Sequence, residues 1–315
     1  AGSAQSADTP KYINLVVDLN VPQGASEDQL NAAKNSIVNI FNTFNEKGIN
    51  WTLVLTNDAS EQTRLLLGQL TSIGNIEIAV SGNHSDELIS SKSYTEQVDI
   101  LERSKLYGES CDVCGLNEVI VTGFMPQSFD QNEDTYKALD SLGFEYNLGF
   151  QAGLIYAPGH EADTWPYKVE NHKFYAVPVS TYMLSDELIP LQDRYAVDNG
   201  ISSAEWLDML KGKLDEISGK DEPLVVSLSS SASGSGEYLD VLGQFVDYAI
   251  SDNAYFVVTS DLVAMARDNV HELSSSQTSA AKTTSGTGSS VEIESNTTCK
   301  ECDDLMKATA INASA

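Results

Sequence analysis

The segment Gly82-Asn83-His84-Ser85-Asp86-Glu87-Leu88 concentrates groups that can do chemistry. It holds one imidazole and two carboxylates within four residues. It reads like a metal-binding His-Ser-x-x-His motif in which Leu88 stands where the second histidine belongs. Leucine offers no lone pair, so the motif is incomplete as a metal site. A second candidate is Asp18, in Val17-Asp18-Leu19-Asn20, at the end of an apolar run. His160, His172 and His271 have no partner at ligand spacing and read as structural or surface residues.

Cysteines form two pairs of equal spacing, Cys111-x-x-Cys114 and Cys299-x-x-Cys302. Two such pairs make either one tetrahedral zinc site or two disulfides, or they stay reduced. Four glycosylation sequons begin at Asn50, Asn83, Asn296 and Asn312. They favour an exported, oxidising setting, and so the disulfide reading. A small, polar opening, Ala1 to Ala7, resembles the segment left after signal-peptide removal. An extracellular or cell-surface location is therefore expected.

Composition narrows the partners. Forty-six acids against 18 bases give a net charge of -28, with 41% hydrophobic residues in 315. A globular chain this acidic disfavours nucleic acid and anionic lipid, which need basic patches. No apolar run reaches membrane-spanning length.

The elements that must position these groups alternate regularly. Apolar runs at 12–17, 51–55, 76–80, 118–122, 174–177, 224–228 and 255–258 read as strands. Between them lie amphipathic stretches with capping signals, such as Ser26 with Gln29 and Ser93 with Glu96. Such strand-helix units predict a parallel α/β sheet with sites at the carboxyl ends of its strands. Asp18, His84 and the segment after Thr122 all fall at such ends. Residues 1–9 read as an N-terminal segment and 10–270 as the α/β domain. Residues 271–298 are a Ser/Thr/Gly-rich linker, and 299–315 a tail with the second cysteine pair. Val291-Glu292-Ile293-Glu294 alternates like a short strand.

In this order the chain resembles the polysaccharide deacetylases, the NodB-homology family. The likeness spans about residues 10 to 268. It is strongest from Gly82 to Lys105 and from Gly123-Phe124-Met125-Pro126 to Gly143-Phe144. The resemblance implies a distorted (β/α)7 barrel with a Ser/Thr-rich C-terminal extension. It also implies a divalent metal, usually zinc, that activates water to remove acetyl groups from N-acetylated sugars. By that comparison Asp18 takes the base position and His84 one ligand position. Leu19, Leu88 and Ser229 stand where the other ligands and a histidine are expected, and no arginine appears near Met125. Trp165, with Tyr167, is the match to a further motif and to a glycan cleft.

With one ligand left of three, zinc has too few partners, since protein sites keep at least three. The expectation is a non-catalytic structural protein of a surface layer, sheath or filament, without cofactor. Its partners would be further copies of itself, joined through the tail and its cysteines, and cell-envelope polysaccharide. The alternatives are a metal-dependent deacetylase rebuilt around Asp18, His84, Asp86 or Glu87, and a carbohydrate-binding protein.

Overall fold

The computed structural model describes residues 10–73, 75–110 and 119–269. Its elements run β1 (Tyr12–Leu19), α1 (Glu27–Asn45), β2 (Trp51–Leu55), α2 (Asn57–Ile73), β3 (Ile76–Val80), α3 (Tyr94–Glu109), β4 (Gly123–Phe124) and α4 (Glu133–Leu142). Then come β5 (Tyr146–Gln151), β6 (Tyr167–Lys168), β7 (Tyr175–Val179), β8 (Thr181–Leu184), β9 (Glu187–Pro190), α5 (Asp193–Asp198) and α6 (Ser203–Glu216). The last are β10 (Leu224–Ser229), α7 (Ser230–Ser233), α8 (Gly236–Ser251), β11 (Tyr255–Phe256) and α9 (Thr259–Asp268).

Strands β10, β1, β2, β3, β4, β5 and β7 are parallel neighbours in that order. Short β6 pairs antiparallel outside β7, and β11 pairs with the start of β1. Side chains alternate along β1. Ile13, Leu15, Val17 and Leu19 enter the outer layer between sheet and helices, while Tyr12 and Val16 point into the barrel. That period of two sets which residues reach the inside.

The seam between β7 and β10 explains the distortion. No strand ladder joins them there, and single groups satisfy the amides of β10 in turn. Val225 N donates to Ser180 Oγ, Ser227 N to the Leu191 carbonyl, and Ser229 N to the Asp193 carboxylate, at 2.9–3.1 Å. Buried backbone amides need such partners when a neighbouring strand is missing.

Helix α9 closes the amino end. Its N-cap, Val258, has no side chain that can cap. The barrel supplies the caps instead. Thr259 N donates to Thr52 Oγ1 at 3.0 Å, and Ser260 N to Glu77 Oε2 at 3.0 Å. Tyr146 lies across the same carboxylate, donating its hydroxyl to Glu77 Oε1. Gly123 makes room for that ring, since a Cβ there would sit 1.9 Å from Tyr146 Cζ.

The capping boxes of α1 and α3 form as read, at Ser26/Gln29 and Ser93/Glu96. One strand is displaced: the run read at 118–122 yields a strand only at Gly123–Phe124. Ile120 is exposed, whereas Val121 packs under Gly108. Thr122 meets β5 on one side, its carbonyl accepting from Glu145 N at 2.7 Å. Cys111, Cys114, Cys299, Cys302, Asn296, Asn312 and the linker and tail at 271–315 lie outside the described residues.

Candidate functional site: a metal-poor floor at the carboxyl ends

The loops after β1, β3, β4 and β10 converge on Asp18. Its Oδ2 accepts from Asn20 Nδ2 at 2.9 Å and from Gln127 Nε2 at 3.4 Å. Its Oδ1 is buried with no protein hydrogen-bond partner. Burial raises the Asp18 pKa to about 6, against the pull of the Gln127 and Asn20 bonds; Asp86 adds to the rise and Arg194 opposes it. A carboxyl so placed holds its proton close to neutrality.

Gln127 was missed in the sequence. It sits two residues beyond Met125, on a turn that carries Ser128 and Phe129 at φ of 54° and 56°. Left-handed backbone at two successive non-glycine residues is costly and persists only when the surroundings enforce it. Asp130 does so by accepting from Ser90 N and Ser90 Oγ. The turn thereby aims Gln127 at both Asp18 and Ser81 Oγ, the latter at 2.9 Å. A neutral amide thus meets Asp18 where a cation was looked for.

The β10 side is a serine-lined turn. Ser229 Oγ donates to Asn20 Oδ1, and Ser231 Oγ lies 2.7 Å from Ser229 Oγ. Asn20 N donates to Ser230 Oγ. Behind them Asp193 is wholly buried and accepts Ser229 N on both oxygens and Ser233 Oγ at 2.6 Å. Burial lifts its pKa to about 7, in spite of those bonds, with Asp18 adding to the rise. Asp193 carries no sequence signal beyond an acid opening a short helix.

His84 stands at the rim with both ring nitrogens taken. Nδ1 is 2.7 Å from Asp58 Oδ2 and Nε2 is 3.2 Å from Gln23 Nε2. With the amide turned this way its nitrogen donates to Nε2, and Nδ1 then donates to Asp58. Gln23 is an exposed side chain, so a stronger partner can displace it from that lone pair. Glu87 is folded back onto its own loop, accepting from Asn83 N and, at 3.0 Å, from Asn83 Nδ2. A Cβ at Gly82 would come within 2.1 Å of Glu87 Oε2, so the carboxylate would have to shift to admit one. Leu88 is 53% exposed.

Two expectations need correction. Leu19 is not on the floor: one residue past Asp18 the strand faces the other way, and its side chain is buried in the outer layer. Asn20 is the neighbour that returns to the floor. Trp165 and Tyr167 form no cleft beside Asp18. Trp165 packs edge-on to Tyr12 at 6.2 Å and donates to Asp221, at the amino ends of the strands. Tyr167 is core, stacked on His160 at 4.0 Å and accepting from Ala157 N. The described sequons are also engaged. Asn50 Nδ2 donates to the Phe256 carbonyl and Asn83 Nδ2 to Glu87, so a glycan on either would displace a bond of the fold.

Zinc does not fit these groups. His84 offers one nitrogen once Gln23 moves aside, Asp18 offers one oxygen, and Leu88 and Ser229 supply no third ligand. Among the described residues no three His, Cys, Asp or Glu side chains are grouped to hold a metal ion.

Solved structures share this architecture. The crystal structure of a putative polysaccharide deacetylase from Mycobacterium smegmatis superposes with a TM-score of 0.64 at 15% identity, covering 85% of this chain and 94% of that one. This is the polysaccharide deacetylase fold. The Puue allantoinase is similar at a TM-score of 0.65 and 13% identity, over 83% of this chain and 92% of that chain. A CE4 family pseudoenzyme from Bacillus anthracis reaches 0.51 at 10% identity, over 81% of this chain and 66% of its own. No family model matches the sequence, and no curated protein matches it either. The deacetylase-like fold of this chain thus has neighbours described as deacetylases, as an allantoinase and as a pseudoenzyme.

Proposed function

We propose that this chain is a non-catalytic, deacetylase-like domain that serves as a secreted structural subunit of a cell-surface layer, sheath or filament. One observation carries the loss of metal chemistry: Leu88 and Ser229 stand where ligands would be needed, and among the described residues no three His, Cys, Asp or Glu side chains are grouped around His84. A metal that polarises a carbonyl and activates water needs several such lone pairs at once. Here the lone pairs hold loops together instead. The loop after β2 clamps the loop after β3, with Asn57 N on the Gly82 carbonyl and Asp58 N on the Asn83 carbonyl. The site's polar groups have become fasteners of the barrel rim.

The extracellular structural role draws on the acidic composition, the paired cysteines and the Ser/Thr-rich extension. Electron microscopy of the purified full-length chain tests it. Regular lattices or filaments support the role; isolated particles at every concentration and ionic condition overturn it.

A second reading is favoured by Asp18 Oδ1. This oxygen is closed off and unpartnered on a floor that also holds Gln127 and Asn20, so a polar ligand that opens the floor would find an acceptor there. Binding of acetylated oligosaccharides, measured by calorimetry and abolished by Asp18→Ala, would favour a carbohydrate-binding protein. Turnover of those sugars with added zinc or cobalt would favour a rebuilt deacetylase.

A further inference from the structure

Successive non-glycine residues take left-handed backbone at two places among the described residues. Ser185 and Asp186, at φ of 50° and 68°, form the two-residue turn of the β8–β9 hairpin, where such backbone is the norm. Ser128 and Phe129, at 54° and 56°, lie between β4 and α4, where no hairpin calls for it. Ser128 is exposed, so its neighbours impose the backbone on it. Phe129 packs against the apolar cluster inside the barrel. Asp130 accepts from Ser90 N at 2.7 Å and from Ser90 Oγ at 2.6 Å, tying the turn to the loop after β3. Gln127 is buried and donates to Ser81 Oγ at 2.9 Å.

The inner side of this turn is unfavourable as well. Gln127 Nε2 reaches Asp18 Oδ2 only at 3.4 Å, beyond the usual length of such a bond. Asp18 Oδ1 is shut in with no partner. A buried oxygen left so retains its full desolvation penalty. Swinging Gln127 aside would admit water to that oxygen and let residues 128 and 129 return to ordinary backbone. Opening therefore relieves two independent penalties of the closed state. Against them stand the Asp130 clamp, the Phe129 packing and the Ser81 bond.

We propose that residues 127–130 form a strained latch over Asp18, which opens as one unit when the Asp130–Ser90 clamp releases. Segments in which strain opposes a few tethers open locally, well below the cost of global unfolding. A polar molecule that donates to Asp18 competes with Gln127 for the same carboxyl. Its binding and the opening of the latch are therefore linked, and each favours the other. The latch itself needs only water as that molecule, so it stands apart from the sugar-binding reading.

Hydrogen exchange of the full-length chain, read by mass spectrometry on peptides covering 85–92 and 125–131, tests it. Substitutions at exposed Ser128 act through the backbone. Ser128→Val puts a β-branched residue at positive φ and should speed exchange in both peptides about tenfold. Ser128→Asn brings a residue enriched in left-handed backbone and should slow it about threefold. Asp130→Asn, which weakens the clamp, should act as the valine variant does, and it carries the test if that variant does not fold. Carbodiimide labelling of Asp18 should rise and fall in step, while exchange in β1, β2 and α8 stays as in wild type. Valine and asparagine variants that exchange alike would overturn the latch. So would acceleration confined to 125–131 with the Ser90 loop unmoved, acceleration spread through the whole barrel, or Asp18 labelling that does not follow.

Discussion

Asp18 is the residue on which the local chemistry turns. Its folded pKa of about 6 lies above the ordinary value of 3.8, so the folded state binds this proton more tightly than the unfolded chain. Its contribution therefore favours the fold in acid and is lost as pH rises from about 3.8 to about 6. At 1.36 kcal/mol per pKa unit the loss is on the order of 3 kcal/mol at most. Asp18→Asn should accordingly be neutral or stabilising at pH 8 and should flatten the pH dependence, as chemical denaturation at several pH values would read. A destabilised variant at pH 8 would mean that the ionised carboxylate is held favourably. Gly82→Ala is the opposite case. Its methyl pushes the Glu87 carboxylate off Asn83, so a loss of about 1 kcal/mol is expected, with the His84 loop loosened in hydrogen exchange. Asp18 and His84 were legible because their residue types and places at strand ends are distinctive. Gln127 and Asp193 were not. What makes Gln127 reach the floor is a left-handed turn, and what makes Asp193 matter is the missing ladder at the seam. Neither leaves a pattern in composition or periodicity.

Among the elements, the seam and the closing helix are the points where the fold departs from a regular barrel. Asp193 substitutes for a strand neighbour at Ser229 N and also binds Ser233 Oγ. Asp193→Ala would leave both donors buried and unpaired. A cost of about 2–5 kcal/mol is expected in urea denaturation, with Asp193→Asn restoring much of it. At the other end, Thr52→Val removes the hydroxyl that caps Thr259 N and meets Thr259 Oγ1. A cap deletion costs about 0.5–2 kcal/mol, and faster amide exchange should be confined to α9 and its contacts. The regular elements were readable from apolar runs and capping boxes: α1, α3 and β2 fall close to where they were expected. The hairpin β8–β9 and strand β5 were not recognised. Asn147 and Gly149 interrupt the apolar pattern of β5, and both are explained by tertiary contacts. Asn147 Nδ2 binds Gln131 at 2.7 Å, and Gly149 leaves room for Gln131 and Pro126.

For the whole molecule, buried acids and surface acids act in the same direction. Asp18 and Asp193, with pKa values of about 6 and about 7, and Glu77, also raised by burial, all bind protons more tightly when folded. Net charge of -28 adds self-repulsion that grows as the surface acids ionise. Stability should therefore fall from about pH 5 to pH 8, the reverse of a protein held by ionised carboxylate pairs. Scanning calorimetry across that range checks this, and a melting temperature that climbs steadily with pH would contradict it. The barrel was recoverable from the sequence because its likeness to deacetylases runs through the whole strand-helix order. Leu88 was visible in the sequence, whereas the bonds from Gln23 and Asp58 to His84 join loops far apart in the chain and were not.

Zinc binding to a full-length chain with all four cysteines changed to serine tests the central claim most directly. Removing the cysteines takes away any site at 111/114 and 299/302, so that calorimetry and elemental analysis report on the barrel alone. No stoichiometric zinc, and a melting temperature unmoved by excess zinc, is the expected result. One zinc per chain, lost in His84→Ala, would contradict it.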